Sequence, residues 1–233
     1  MQLSKRLQAV VDLVTKGGSI ADIGCDHAYI SIYLMEHKIA EKVVAMDVNK
    51  GPLERAKENI KKYQFEDSIE IRQSDGIKAL KPGEVHKLLI AGMGGNLMCN
   101  ILAGNPDVLA EVEELVLQPQ SENREVRQYI EKLGFRIIEE NMLIDEGKYY
   151  VMMKAKRTNS EGELKKEVFY RYGKDLLERK NLFLKQYLQK ELEKLQEIKK
   201  CLQLHPSELN ETRLKKVQED ITYCKEALTY YEM

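Results

Sequence analysis

A chain of 233 residues, 43% hydrophobic and 32% charged, fits either one large domain or a domain of about 150 residues joined to a smaller unit. No apolar run approaches the roughly 20 residues needed to cross a bilayer, which excludes a helical membrane protein. The four cysteines, Cys25, Cys99, Cys201 and Cys224, form no CxxC pair and have no His at metal-ligand spacing, so neither zinc nor a disulfide framework is signalled.

The N-terminus opens straight into an apolar-periodic stretch, Leu3, Leu7, Val10, Val11 and Val14, which predicts an N-terminal helix and carries no secretory signal; the expected location is the cytoplasm. From Ser19 to about Lys154, short aliphatic runs alternate with amphipathic ones, as βαβ units do. Strands are expected at Ser19–Ile23, Lys42–Asp47, Ile69–Gln73, Lys87–Ala91 and Glu114–Leu117, with helices between them such as Pro52–Tyr63 and Ser121–Leu133. Gly134 stops the last helix, and Phe135–Ile144 and Tyr149–Lys156 form a hairpin around Asp145-Glu146-Gly147. A parallel sheet closed by an antiparallel hairpin resembles the seven-stranded sheet of class I methyltransferases more than that of a dinucleotide-binding dehydrogenase. The expected fold is therefore α/β and Rossmann-like over residues 1–156.

Arg-Thr-Asn-Ser-Glu-Gly at 157–162 is a polar boundary, and residues 160–233 are expected to be a C-terminal α-helical coiled-coil domain. Between Gly173 and His205-Pro206, Leu177, Leu184, Leu188, Leu192, Leu195 and Leu202 recur at spacings of three, four or seven; Leu214, Val217, Ile221, Cys224 and Leu228 continue beyond. The simplest arrangement is an antiparallel hairpin whose first arm extends about 45 Å at about 1.5 Å per residue, with Cys201 and Cys224 packed together as small hydrophobes. Net charge is −1, but residues 1–153 hold 19 Lys+Arg against 24 Asp+Glu, residues 154–200 hold 14 against 8, and residues 201–233 hold 4 against 6. The basic segment suits a polyanion; a solvated, salt-bridged helix face is the alternative.

The loop Asp22-Ile23-Gly24-Cys25-Asp26-His27-Ala28-Tyr29 follows the first strand and opens a helix, offering a glycine and backbone N–H groups to a ligand. A pyrophosphate-binding loop wants G-x-G-x-x-G. Asp26 stands at the second glycine, where its charge repels a pyrophosphate but attracts the ammonium or sulfonium of S-adenosylmethionine. Asp47 ends the second strand, placed to accept from ribose hydroxyls. Asp75, in Ser74-Asp75-Gly76 after the third strand, suits an adenine amino group or, equally, a helix N-cap. Ala91-Gly92-Met93-Gly94-Gly95-Asn96 ends the fourth strand with three glycines in four residues, as close backbone approach to a ligand demands. An (N/D)PP(Y/F) loop is absent here, which points away from an exocyclic amine as methyl acceptor.

At Asp26-His27-Ala28-Tyr29, Gly76, Ala91-Gly92-Met93-Gly94-Gly95 and Leu117-Gln118-Pro119 the chain resembles the bacterial tRNA (adenine-N1)-methyltransferase family TrmK. Leu3-Ser4-Lys5-Arg6-Leu7, Gly147-Lys148-x-Tyr150 and Tyr172-Gly173 extend the likeness over nearly the whole chain. Ser31 replaces a frequent Pro, Gln120 a frequent Asn, and Val151 a frequent Glu, so the last strand is given no catalytic role. The resemblance implies S-adenosylmethionine as donor and adenine N1 at tRNA position 22 as acceptor, with the tail gripping tRNA. It implies a cofactor site built from Asp22, Gly24, Cys25 and His27; from Asp47, Val48, Asp75 and Gly76; and from Ala91, Gly92, Met93 and Gly94. Asp26, Tyr29 and Met93 are the residues expected nearest the chemistry, His27 being alternatively a helix-start cap. No metal is expected, and a monomer is, with dimerisation through the coiled coil as the alternative. Methylation of another RNA or a protein, or a non-catalytic cofactor-binding adaptor, remain the competing readings.

Overall fold

β1 (Ser19–Ile23) and β2 (Lys42–Asp47) are buried along almost their whole length, as strands covered on both faces must be. They pair in parallel, Ser19 opposite Lys42. β3 (Ile69–Gln73) joins β2 in parallel, β4 (Lys87–Met93) joins β1, and β5 (Glu114–Pro119) joins β4. β6 (Phe135–Asp145) and β7 (Lys148–Arg157) complete a seven-stranded sheet of order β3-β2-β1-β4-β5-β7-β6. β7 runs antiparallel to β5, Leu117 facing Met153, as the sequence leads one to expect. Chain direction along the sheet reverses between β1 and β4, and ligands of such sheets lie outside the strand C-termini at that switch.

The computed structural model describes residues 1–158, 164–205 and 207–232. They divide into two units, Met1–Asn141 with Tyr150–Glu163, and Met142–Tyr149 with Leu164–Met233, so the tip of the β6–β7 hairpin clusters with the tail. Among the described residues no helix is long and apolar enough to cross a membrane. In the first unit α1 (Lys5–Asp12) is capped by Ser4, whose Oγ accepts from Leu7 N at 3.3 Å. α2 (Tyr29–Glu36), α3 (Lys50–Lys62), α4 (Gly95–Ala103), α5 (Pro106–Glu111) and α6 (Asn123–Lys132) follow the strands.

The tail is helical, but its first arm is broken. α7 (Glu167–Tyr172) and α8 (Lys174–Glu178) are short, and α9 runs only from Leu182 to Leu204, about 35 Å rather than about 45 Å. The break lies at Lys180, which adopts φ +53, and at Asn181, whose Oδ1 accepts from Phe183 N and Leu184 N at 3.0 Å each. An asparagine that caps a new helix cannot also continue the old one. α10 (Glu208–Thr229) packs antiparallel on α9: Lys199 Nζ meets Gln218 at 2.5 Å, Cys224 Sγ donates to Leu188 O at 3.3 Å, and Tyr231 OH donates to Asn181 O at 3.0 Å. Cys224 is buried there while Cys201 is exposed, so the two cysteines do not pack together as expected; Cys224 instead spends its thiol on the facing backbone.

Candidate functional site

The loops after β1, β2, β3 and β4 meet along one sheet edge because those strands are parallel and in register. Gly24 N and Cys25 N both donate to Met46 O, at 2.7 and 2.9 Å, and Ser74 N donates to Asp47 O at 3.0 Å. Two of the N–H groups expected to serve a ligand are therefore spent closing the β1 turn onto β2. Gly24 has φ +76, a conformation that favours glycine, and a Cβ there would stand 2.1 Å from Met93 Cε, so the β1 loop and the Met93 side chain at the end of β4 are in direct contact.

Asp26 also takes a left-handed conformation, φ +49, which short polar side chains tolerate. Its side chain is 66% exposed and lies 3.6 Å from His27 Nε2 and 3.9 Å from Arg55 Nη2. His27 does not cap the helix: α2 has Ala28 at its N-cap, in the left-handed region, with no side-chain capping bond. The His27 ring instead stacks on exposed Tyr29, centroids 5.4 Å apart, and its carbonyl accepts from Asn59 Nδ2 at 3.0 Å. Cys25 is buried, and burial pushes its thiol up, out of nucleophilic range.

Asp47 Oδ1 accepts from Asn49 N at 2.9 Å, leaving Val48 exposed and its carbonyl accepting from Gln73 Nε2 at 3.0 Å. Asp75 is 67% exposed and pairs with Lys78 Nζ at 2.5 Å. Asp75 caps no helix; Ser74 Oγ, not Asp75, accepts the local backbone bond, from Ala79 N at 3.1 Å. Gly76 is buried against Ile101.

The glycines at the end of β4 divide by role. Gly92, φ +79, lies where the β4–β5 ladder shifts register between Ala91 and Met93. Gly94 is the N-cap of α4. Gly95 is a packing glycine rather than a ligand contact, since a Cβ there would meet Ser121 O at 2.6 Å. Its N–H donates to Glu122 Oε2 at 3.1 Å, so an acid of the chain itself sits at the α4 N-terminus. The exposed or half-exposed carboxylates of Asp26, Asp47 and Asp75, with a glycine cradle between them, fit S-adenosylmethionine, which carries cationic centres and hydroxyls; they do not fit a pyrophosphate.

A family model described as a methyltransferase domain matches residues 3–153. The chain is 32% identical over 235 residues to the tRNA (adenine(22)-N(1))-methyltransferase of Bacillus subtilis, covering 99% of this chain and 98% of that one. The chain belongs to the tRNA (adenine(22)-N(1))-methyltransferase family. The crystal structure of the B. subtilis M1A22 tRNA methyltransferase TrmK superposes with a TM-score of 0.88 at 30% identity, over 97% of this chain and 99% of that one. Streptococcus pneumoniae Sp1610, solved in complex with S-adenosyl-L-methionine, gives 0.85 at 30% identity over 97% and 100%.

Within this member of the family, two buried polar groups near the strand ends have partners that their motifs do not reveal. Asp22 is 2% exposed and accepts from Ser31 Oγ at 2.7 Å. Burial pushes its carboxyl up to about 6, the Ser31 hydroxyl pulls part of the way back, and the neighbouring charge of Asp47 adds to the rise. Gln118, 0% exposed, accepts from both Arg6 Nη1 and Gly92 N. A lone polar residue inside an apolar strand run was the available signal for each.

Proposed function

We propose that the chain methylates N1 of adenine 22 in tRNA, with S-adenosylmethionine as the donor. The near-complete mutual coverage with the B. subtilis enzyme carries this reading, and the carboxylate-lined strand edge supports it. When bound, S-adenosylmethionine supplies an electrophilic methyl on a sulfonium sulfur. Asp47 and Val48 at the end of β2, Asp75 and Gly76 after β3, and Gly24 with Ala91–Gly94 hold it, while buried Asp22 contributes negative charge beneath the loop.

Adenine N1 offers an in-plane lone pair and carries no proton at neutral pH, so the chain's task is placement rather than proton removal. Orientation of this kind supplies about 7–11 kcal/mol. The target edge is hidden in folded tRNA, and extruding the base costs a few kcal/mol. Tyr29, exposed on its stack with His27, offers a ring face to the base, and Met93 closes the other side. Asp26 accepts from the exocyclic N6 amine, onto which positive charge spreads as N1 is alkylated. The basic stretch 154–200 and the α9–α10 pair, read as a coiled-coil arm, hold the tRNA body, in a monomer of the cytoplasm.

Incubation with unmodified tRNA and donor, followed by reverse transcription, should give a new stop at position 22, because a methyl on N1 blocks the Watson–Crick edge. Full read-through at position 22 sinks the reading. Asp26→Ala should lower kcat by about 100-fold, as loss of one preorganised electrostatic partner does, with tRNA affinity near wild type.

A further inference from the structure

Arg6, on α1, meets Gln118 across 112 positions of sequence, Nη1 standing 2.7 Å from Oε1. That same oxygen accepts from Gly92 N at 3.1 Å, while Gln118 Nε2 donates to Pro119 O at 3.1 Å. Two donors saturate a carbonyl oxygen, so one buried amide ties α1 to the backbone at the ends of both β4 and β5. The guanidinium lies 5.6 Å from the centroid of the Tyr150 ring, and its Nη1 is 3.3 Å from where a Cβ on Gly92 would stand. All of this surrounds the register shift between Ala91 and Met93, one residue before the side chain that touches Gly24.

We propose that Arg6 is a positioning residue for methyl transfer: acting through Gln118, it fixes the Gly92 peptide and thereby the placement of Met93 over the cofactor loop. The proposal rests on the tRNA methyltransferase reading above. The peptide needs fixing because glycine at φ +79 in a broken ladder has neither a Cβ nor regular neighbours to restrain it. A bond donated by a cation is about twice as strong as a neutral one, and Arg, unlike Lys, can hold a planar fork between an amide and a ring. Removing Arg6 takes the charged donor off the Gln118 oxygen and leaves the amide held only by Gly92 N and by its own bond to Pro119 O, and a misplacement of about 1 Å at a reacting centre can cost about 100-fold in rate.

The test uses the full chain and its Arg6→Ala, Arg6→Lys and Gln118→Met variants. Three readouts are needed: kcat and KM on unmodified tRNA, affinity for S-adenosylhomocysteine, and hydrogen exchange at the Gly92 amide. Arg6→Ala should lower kcat about 10- to 100-fold while KM for tRNA stays within about threefold of wild type, a shift of roughly 0.6 kcal/mol, and S-adenosylhomocysteine affinity falls by less than kcat does. Exchange at Gly92 should quicken, and Arg6→Lys should recover part of kcat. A raised KM with unchanged kcat would make Arg6 a tRNA contact and overturn the proposal, as would kcat, cofactor affinity and melting temperature all falling in step. If Arg6→Ala fails to fold, Gln118→Met decides from the other end of the link; wild-type kcat and wild-type exchange at Gly92 there overturn the proposal. Faster Gly92 exchange in a protein that leaves adenine 22 unmodified would show the link intact and the acceptor reading wrong.

Discussion

A carboxylate buried at the end of β1 makes its surroundings measurable through pH. The folded value for Asp22, about 6, lies above its ordinary 3.8, so the fold disfavours the charged form. Its contribution to stability is fully present below pH 3.8 and is lost as pH rises through 6. A bound cation reverses that preference, so affinity for S-adenosylhomocysteine, which keeps the ammonium group, should fall below pH 6 by up to about tenfold per pH unit. Titration calorimetry between pH 5 and 8 checks this. Asp22→Asn should flatten the acid limb; Ser31→Ala, by removing the 2.7 Å bond that favours the carboxylate, should move the limb to higher pH. A flat profile in the unmodified protein would take the charge of Asp22 out of cofactor binding. The acid itself was legible as part of the loop motif, but its partner was not: Ser31 read only as a departure from Pro, because a hydroxyl nine residues on reveals its target only once α2 folds back over β1.

Gly51 and Gly95 both lie near the starts of helices, yet their surroundings demand opposite outcomes. A Cβ at Gly95 would stand 2.6 Å from the backbone oxygen of Ser121 and 2.8 Å from Val126 Cγ2, whereas one at Gly51 meets nothing within 4 Å. Gly95→Ala should therefore destabilise by about 1–3 kcal/mol, since α4 cannot approach α6 without backbone movement. Gly51→Ala should stabilise by up to about 1 kcal/mol through helix propensity. Urea denaturation of both variants measures the two signs, and a neutral Gly95→Ala would return that glycine to a ligand-contact role. From sequence the three glycines at the end of β4 looked alike; that Gly95 is set apart by packing depends on Val126 of α6, contributed by a segment some 30 residues on. The same limit hid the break at Lys180–Asn181, across which the leucine spacing of the tail continues undisturbed. The central strands β1, β2, β4 and β5 were legible because burial on both faces writes an apolar run into each, and the parallel order of β1, β2 and β3 brought Gly24, Asp47 and Asp75 to one edge.

Charge divides along the chain as the fold does, with an acidic excess over residues 1–153 and a basic one over 154–200. The basic residues of the tail differ in what engages them. Arg171 is committed to Glu167 and Asp220 at 3.0 and 2.6 Å, whereas Lys190 and Lys194, one turn apart on α9, are exposed, Lys190 resting 5.6 Å from the centroid of the Tyr149 ring. Net acidity over the chain makes long-range attraction to tRNA weak, so binding must draw on local contacts within about a Debye length. Each phosphate neutralised releases counterions and adds about 0.9 to the slope of log affinity against log salt for a duplex. Lys190→Gln with Lys194→Gln should therefore weaken tRNA binding at low salt and reduce that slope by up to about 2, while affinity for S-adenosylhomocysteine is unchanged. Filter binding across a salt series gives the slope directly. A wild-type slope in the double variant would make these lysines a solvated helix face, and the weight of tRNA recognition would then fall on the basic residues that precede α9.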